Sequence, residues 1–251
     1  MQLPQIVEAA YTLFAPYTIG QTLDVCKACC VTDAEEKELV GTPLRSVSRD
    51  LLDYAYYSSA RNYSDRELGE MKHFLPRVLE MVAEFEFPCH STEITFTRLD
   101  LDKAEQWPPA ERTLLDAFAT AFFRKCLVTY PLPNGEDLGS SLVTMFGNAH
   151  FDLPALLAQW AATETTESLL HFKDLVLHDI SYKATVPFKM TNAFTTEAVS
   201  NTVINWLNNS VTKSLFAGRI ERVILEVENE FEAKTMEELS WVYELLHGKN
   251  I

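Results

Sequence analysis

Five residues near the N-terminus carry the densest chemistry of the chain: Cys26-Lys27-Ala28-Cys29-Cys30. Two thiolates separated by two residues can grip one zinc ion, because the short loop puts both sulfurs on one side of the metal. A structural zinc wants four ligands, and the next candidates, Cys89 and His90, lie about sixty residues on. A dithiol redox role would want a βαβ context, which the sequence lacks. The third reading is small, weakly polar side chains packed in a turn between helices, and this is the reading we favour. The second constellation is Glu167, His171, Asp174 and His178, at spacings of four, three and four. On an ideal helix these lie within about 60° of one another. Such a stripe can hold a metal or act as acid and base. It departs from the Glu-x-x-His pattern of di-iron bundles, and no partner helix supplies a matching stripe. A solvated face, or the polar lining of a concave surface, is the simpler expectation. The third feature is the run Glu226, Glu228, Glu230 and Glu232, near Glu221, Glu237 and Glu238. It reads first as a solvated helix face and second as an attractor of a basic partner.

The elements that must position these residues are helical nearly throughout. Leu68, Met71, Leu75, Val78, Leu79 and Val82 recur at steps of three and four, with Arg66, Glu67, Glu70, Arg77 and Glu84 opposite, which predicts an amphipathic helix. Ser64 with Glu67, Thr32 with Glu35, and Thr235 with Glu238 have the spacing of capping boxes. Pro76 removes a backbone donor, so a kink or a break is expected there. Further helices are expected over 1–17, 109–129 (buried stripe Leu115, Phe118, Phe122, Cys126), 136–146, 153–162, 166–178, 197–208, 210–231 and 236–247. The stretch 85–107 reads as a short strand or an irregular loop, and 179–195, with Pro187, as a long connection.

Trp160, Thr166, Ser168 and Leu169 share their spacing with Trp206, Thr212, Ser214 and Leu215, at an offset of 46 residues. That offset falls in the range of two-helix HEAT or armadillo repeats, about 40–47 residues. The fold class expected is therefore all-α: stacked helical hairpins forming a HEAT/armadillo-like superhelix, with an irregular helical bundle as the alternative. We read 1–251 as one helical domain, with candidate lobe boundaries near 86–108 and 179–195.

Cys26 to Cys30, then Thr42-Pro43-Leu44-Arg45, Leu51 to Tyr54 and His73-Phe74-Leu75-Pro76-Arg77, resemble a group of uncharacterised bacterial all-helical proteins with a CxxCC cluster and TPLR-like and HFLPR-like motifs. The resemblance covers roughly the first third of the chain. It implies a bacterial, cytoplasmic, helical protein, brings no activity, and assigns no functional residue. Physically, Thr42-Pro43 is a cap followed by Pro at a first helical position. Arg45 and Arg77 either tie turns to carboxylates or form an anion site, and the former is the stronger expectation.

Composition sets the outer limits. The 251 residues carry 36 acidic against 21 basic groups, a net charge of −15, with 47% hydrophobic residues and only 8 glycines. The apolar fraction excludes a disordered chain. The charge makes the chain a poor general binder of phosphate backbones, so no nucleic-acid partner is expected. The deficit is even: −7 over residues 1–125 and −8 over 126–251. No run reaches the roughly 18 apolar residues of a membrane span, and the N-terminus does not read as a signal peptide. Five cysteines, two of them adjacent, argue for free thiols in a reducing cytoplasm. There is no Gly-rich phosphate loop, no Gly-x-Ser-x-Gly elbow and no His-Glu-x-x-His. No catalytic, cofactor-binding or metal-ligating residue is assigned and no cofactor is expected. The leading expectation is a non-catalytic module that binds a peptide or basic protein partner, with an antidote-type role as one analogy. The alternative is a metal-binding protein or metal-dependent enzyme using the His and carboxylate stripe or the thiols.

Overall fold

Side-chain caps open most of the longer helices. In the computed structural model, which describes residues 2–225 and 231–248, the helices are α1 Leu3–Leu13, α2 Asp33–Gly41, α3 Arg49–Leu52, α4 Asp65–Ala83, α5 Pro109–Leu127, α6 Val143–Asn148, α7 Leu153–Ala162, α8 Thr166–Asp174, α9 Glu197–Asn208, α10 Ser210–Leu225 and α11 Ala233–Leu246. The fold is predominantly all-α, as the periodicity predicts. Thr32, Ser48, Ser64, Asp152, Thr165 and Thr196 each accept a backbone N–H at a helix start, satisfying donors that the helix leaves free.

Two of the three expected capping boxes differ from the sequence reading. Thr32 and Glu35 bond reciprocally, as expected. At α4 the Ser64 hydroxyl accepts from the Glu67 N–H, but the Glu67 carboxylate turns to the N–H groups of Asn62 and Tyr63 and to two arginines. Burial of that carboxylate against cations outweighs the local cap. Thr235 starts nothing: α11 begins at Ala233, and Glu238 is drawn off to the buried ammonium of Lys173 at 2.7 Å. Helix α4 continues through Pro76, which is itself buried between Leu75 and Val78, so the predicted break does not occur.

The stretch 179–195 departs most from expectation. It holds an antiparallel hairpin, β1 Ile180–Lys183 with β2 Val186–Met190, turned at Ala184 in the left-handed region (φ 60°). Pro187 is tolerated because a two-stranded ribbon leaves both outer edges free. The stretch 85–107 contains no strand; three short 3₁₀ turns, Thr92–Ile94, Thr97–Leu99 and Ala104–Gln106, fold it.

Two compact units divide the chain inside α5: residues 1–122 with 149–151, and residues 123–148 with 152–251. The first packs α1 on α4 and buries Tyr56, Phe74, Leu79, Phe96, Phe118 and Phe122. Its interior also holds ions: Glu67 between Arg98 (2.7 Å) and Arg61 (3.1 Å), and Lys72 on Glu111 (2.8 Å). The second unit packs α7, α9 and α10 together, with α8 and α11 against α10 and the hairpin against α9. Phe172 stacks on Phe216 at 3.6 Å, and Phe123, Trp160 and Phe146 complete the aromatic interior. Cys126 is fully buried here, as its place in the α5 stripe predicts.

Candidate functional site

The structure spends the Glu167–His178 stripe on the fold. His171 is buried; its Nε2 lies 2.8 Å from the Thr129 carbonyl and its ring packs edge-on to Tyr130. Burial holds the imidazole below its ordinary pKa. Asp174 accepts from Tyr130 Oη at 2.9 Å and from Lys173 Nζ at 2.5 Å. A π-helical turn, Leu175–Asp179, follows α8 and changes the register, so His178 stands out in solvent, 3.9 Å from Asp174. Glu167 remains in the first turn of α8, where the helix dipole favours a negative charge. His171 and Asp174 are thus brought together around Tyr130, Lys173 and Glu238, with His178 at the exposed edge of this group beside Asp174, while Glu167 stays in the first turn of α8.

Arg45 and Arg77 also serve structure. Arg45 makes a two-pronged pair with Glu8 at 2.9 and 2.7 Å over the Tyr11 ring. Arg77 bonds the Val47 carbonyl and Glu80, which in turn accepts from Tyr11. Of the glutamate run, Glu226, Glu228 and Glu230 lie outside the described residues; Glu221, Glu232 and Glu237 are exposed.

The three N-terminal thiols do converge. Cys26 Sγ is 3.6 Å from Cys29 Sγ, which is 3.3 Å from Cys30 Sγ, and all three lie within 4.8 Å of one another. Val25 and Val31, both buried, anchor the turn at its ends, and the Cys26 N–H donates to Ser59 Oγ at 2.7 Å. Amides of Ala28 and Cys29 turned toward the Cys26 sulfur hold its thiol below the usual value. The neighbouring sulfurs push Cys29 up to about 11. Lys27 folds away to Glu36 (2.8 Å) and Asp33 (3.3 Å).

A groove that the sequence did not disclose lies in the second unit, between α7, α9 and α10. Its cavity volume is about 740 Å³. Ala158, Ala161 and Ala162 of α7 keep that wall low, and Leu157, Trp206, Val211 and Leu215 supply apolar surface. Val211 and Leu215 are exposed at its rim. Trp206 lies 5.5 Å from Trp160 and edge-on to Phe216 and Phe172, so its ring is fixed by the core behind it. Arg219 is only 5% exposed. Its Nη1 donates to the Thr163 carbonyl at 2.9 Å and its Nη2 to the Ala161 carbonyl, at the C-terminal end of α7, where the helix dipole favours a cation. Burial lowers its pKa from the ordinary guanidinium value. Among the described residues, two donors at the groove, Arg219 Nε and Trp206 Nε1, are closed to solvent without a hydrogen-bond partner. Trp160 Nε1, one offset earlier, donates to the Ser168 carbonyl at 3.0 Å. The 46-residue repeat pointed to both tryptophans; it could not tell which one keeps a free N–H. The polar residues of the lining are Glu164, Thr202, Asn205, Asn209, Thr212 and Arg219. Among the described residues, no helix is long and apolar enough to cross a membrane.

No protein-family model, no curated protein and no solved structure matches the chain.

Proposed function

We propose that this protein is a non-catalytic binding module whose α7–α9–α10 groove takes an apolar segment of a partner protein. The observation that carries this reading is the groove itself: an open cavity of about 740 Å³, largely apolar in its walls, with the Trp206 ring in its lining. Arg219 and Glu164, which interact electrostatically, both line the groove, so an occupant meets one charge of each sign beside the apolar walls. The net charge of −15 acts at longer range and favours a partner that is basic overall. Two successive hairpins, α7–α8 and α9–α10, with tryptophans at equivalent places support reading this unit as a short HEAT-like stack. Five free thiols support a reducing compartment such as the cytoplasm.

The test is selection of peptides from a displayed library on the full chain, with the selected sequence measured by fluorescence anisotropy. Selected peptides should be rich in apolar residues. Ala158→Trp, which fills the groove from an exposed position, should weaken them more than tenfold, about 1.4 kcal/mol. Selection of no peptide, or equal affinity for the Ala158→Trp variant, would overturn the proposal.

A further inference from the structure

We infer that the Cys26–Cys29–Cys30 turn is a metal site of its own, binding one thiophilic d¹⁰ cation, Zn²⁺ or Cu⁺, through three sulfurs. The inference is independent of the groove and lies in the other unit. Two sulfurs bound to one tetrahedral zinc at about 2.3 Å stand about 3.8 Å apart. The contacts of 3.6 and 3.3 Å already bring the sulfurs to near that separation, with no backbone rearrangement required. The turn is held in this shape by means that do not involve the sulfurs. The Cys26 carbonyl accepts from the N–H groups of Cys30 (3.3 Å) and Val31 (3.0 Å), the Cys26 N–H is tied to Ser59, and Val25 and Val31 are seated in the interior.

The donor set also limits which metal fits. Three soft sulfur ligands suit Cu⁺ and Zn²⁺ and exclude Mg²⁺ and Ca²⁺, which take oxygen. Among the described residues, no fourth Cys, His, Asp or Glu atom joins the three sulfurs within 4.8 Å. Lys27, the one cation within the turn, is tied to Asp33 and Glu36 and does not compete for the sulfurs. A three-coordinate set suits Cu⁺ as it stands and leaves Zn²⁺ one position for water or an external ligand. Closed four-ligand zinc sites are fold staples; an open one exchanges its metal. Each thiol that coordinates releases its proton, so loading acidifies an unbuffered solution.

The experiment uses the full chain, reduced and freed of metal by chelation, then titrated with Zn²⁺ under competition with a chromophoric chelator and separately with Cu⁺ under a cuprous chelator. Co²⁺ serves as a spectroscopic probe for thiolate-to-metal charge-transfer bands. We expect a single equivalent per chain, proton release on binding, and loss of binding in the triple variant Cys26→Ser, Cys29→Ser, Cys30→Ser, with Cys89→Ser unaffected. The metal-free chain should keep its helical circular dichroism, because the site is open and the turn is anchored elsewhere. Stoichiometry below a tenth of an equivalent for both metals would overturn the inference, and so would unchanged binding by the triple variant.

Discussion

Replacing Glu67 by Gln removes one proton acceptor and one charge from the most heavily bonded carboxylate of the first unit. Glu67 is 2% exposed. Its Oε1 accepts from Arg98 Nη1 at 2.7 Å and Arg61 Nε at 3.1 Å, and its Oε2 from the N–H groups of Asn62 at 2.9 Å and Tyr63 at 2.6 Å. A glutamine keeps one oxygen and turns an NH₂ toward the other two donors, so at least two of these four bonds are lost. Arg98, buried as well, keeps its bonds to the carbonyls of Tyr56, Tyr57 and Ser59 but loses its counter-charge. Breaking a buried pair by removing one partner costs about 3–5 kcal/mol. For a unit of this size that lowers the thermal midpoint by roughly 10–20 °C. Scanning calorimetry of Glu67→Gln against the parent reads the shift directly. The double variant Glu67→Gln, Arg98→Met should lose less than the sum of the single changes, because it removes the stranded cation, and the coupling should be about 0.5–3 kcal/mol. A midpoint within about 3 °C of the parent would refute the claim that this network, rather than the apolar packing around it, holds α4 to the segment after it.

Three further outcomes follow from the geometry. A Cβ on Gly147 would sit 2.5 Å from Val199 Cγ2 and 2.9 Å from Cγ1, so Gly147→Ala should cost about 1–3 kcal/mol in urea unfolding, partly restored by Val199→Ala. Burial, and then the charge of Asp137 beside it, raise the Asp179 carboxyl to about 8. A folded-state pKa above the unfolded value makes stability fall as pH climbs from about 4 to about 8, so Asp179→Asn should flatten that decline and raise the thermal midpoint most at the alkaline end. Among the thiols, Cys89 and Cys126 are buried, whereas Cys29 is exposed and Cys26 and Cys30 are partly so. A thiol reagent at neutral pH should therefore modify three cysteines in the native chain and five only after unfolding.

What could be read from the sequence was whatever a period of 3.6 residues carries. The α5 stripe through Leu115, Phe118, Phe122 and Cys126 is buried as spaced, and so is the α4 stripe from Met71 on, but Leu68 is only half-buried while Glu67 and Glu70, expected on the opposite face, are buried among their partners. Elements that break that period were not legible. π-helical turns at Asp53–Tyr57, Leu138–Leu142 and Leu175–Asp179 leave no mark in composition, and the last of them carries the exposed His178. The β1–β2 turn uses Ala184 at positive φ, where no Gly or Asn announces it. Glu67 and Glu238 look like caps locally; distant cations, Arg98 and Lys173, decide where they go. The thiol cluster was visible because its three residues are adjacent in sequence. The groove was not, because Ala158, Trp206 and Arg219 sit on three separate helices and only packing brings them together.

The central claim is that the groove between α7, α9 and α10 is a binding site for an apolar segment. The most direct measurement is the tryptophan indole ¹H–¹⁵N spectrum of the full chain with and without a selected peptide. The Trp206 indole resonance should shift on binding because its ring lines the groove, while that of Trp160, outside the lining and bonded to the Ser168 carbonyl, should move less. A bound peptide that leaves the Trp206 resonance where it was would contradict the account.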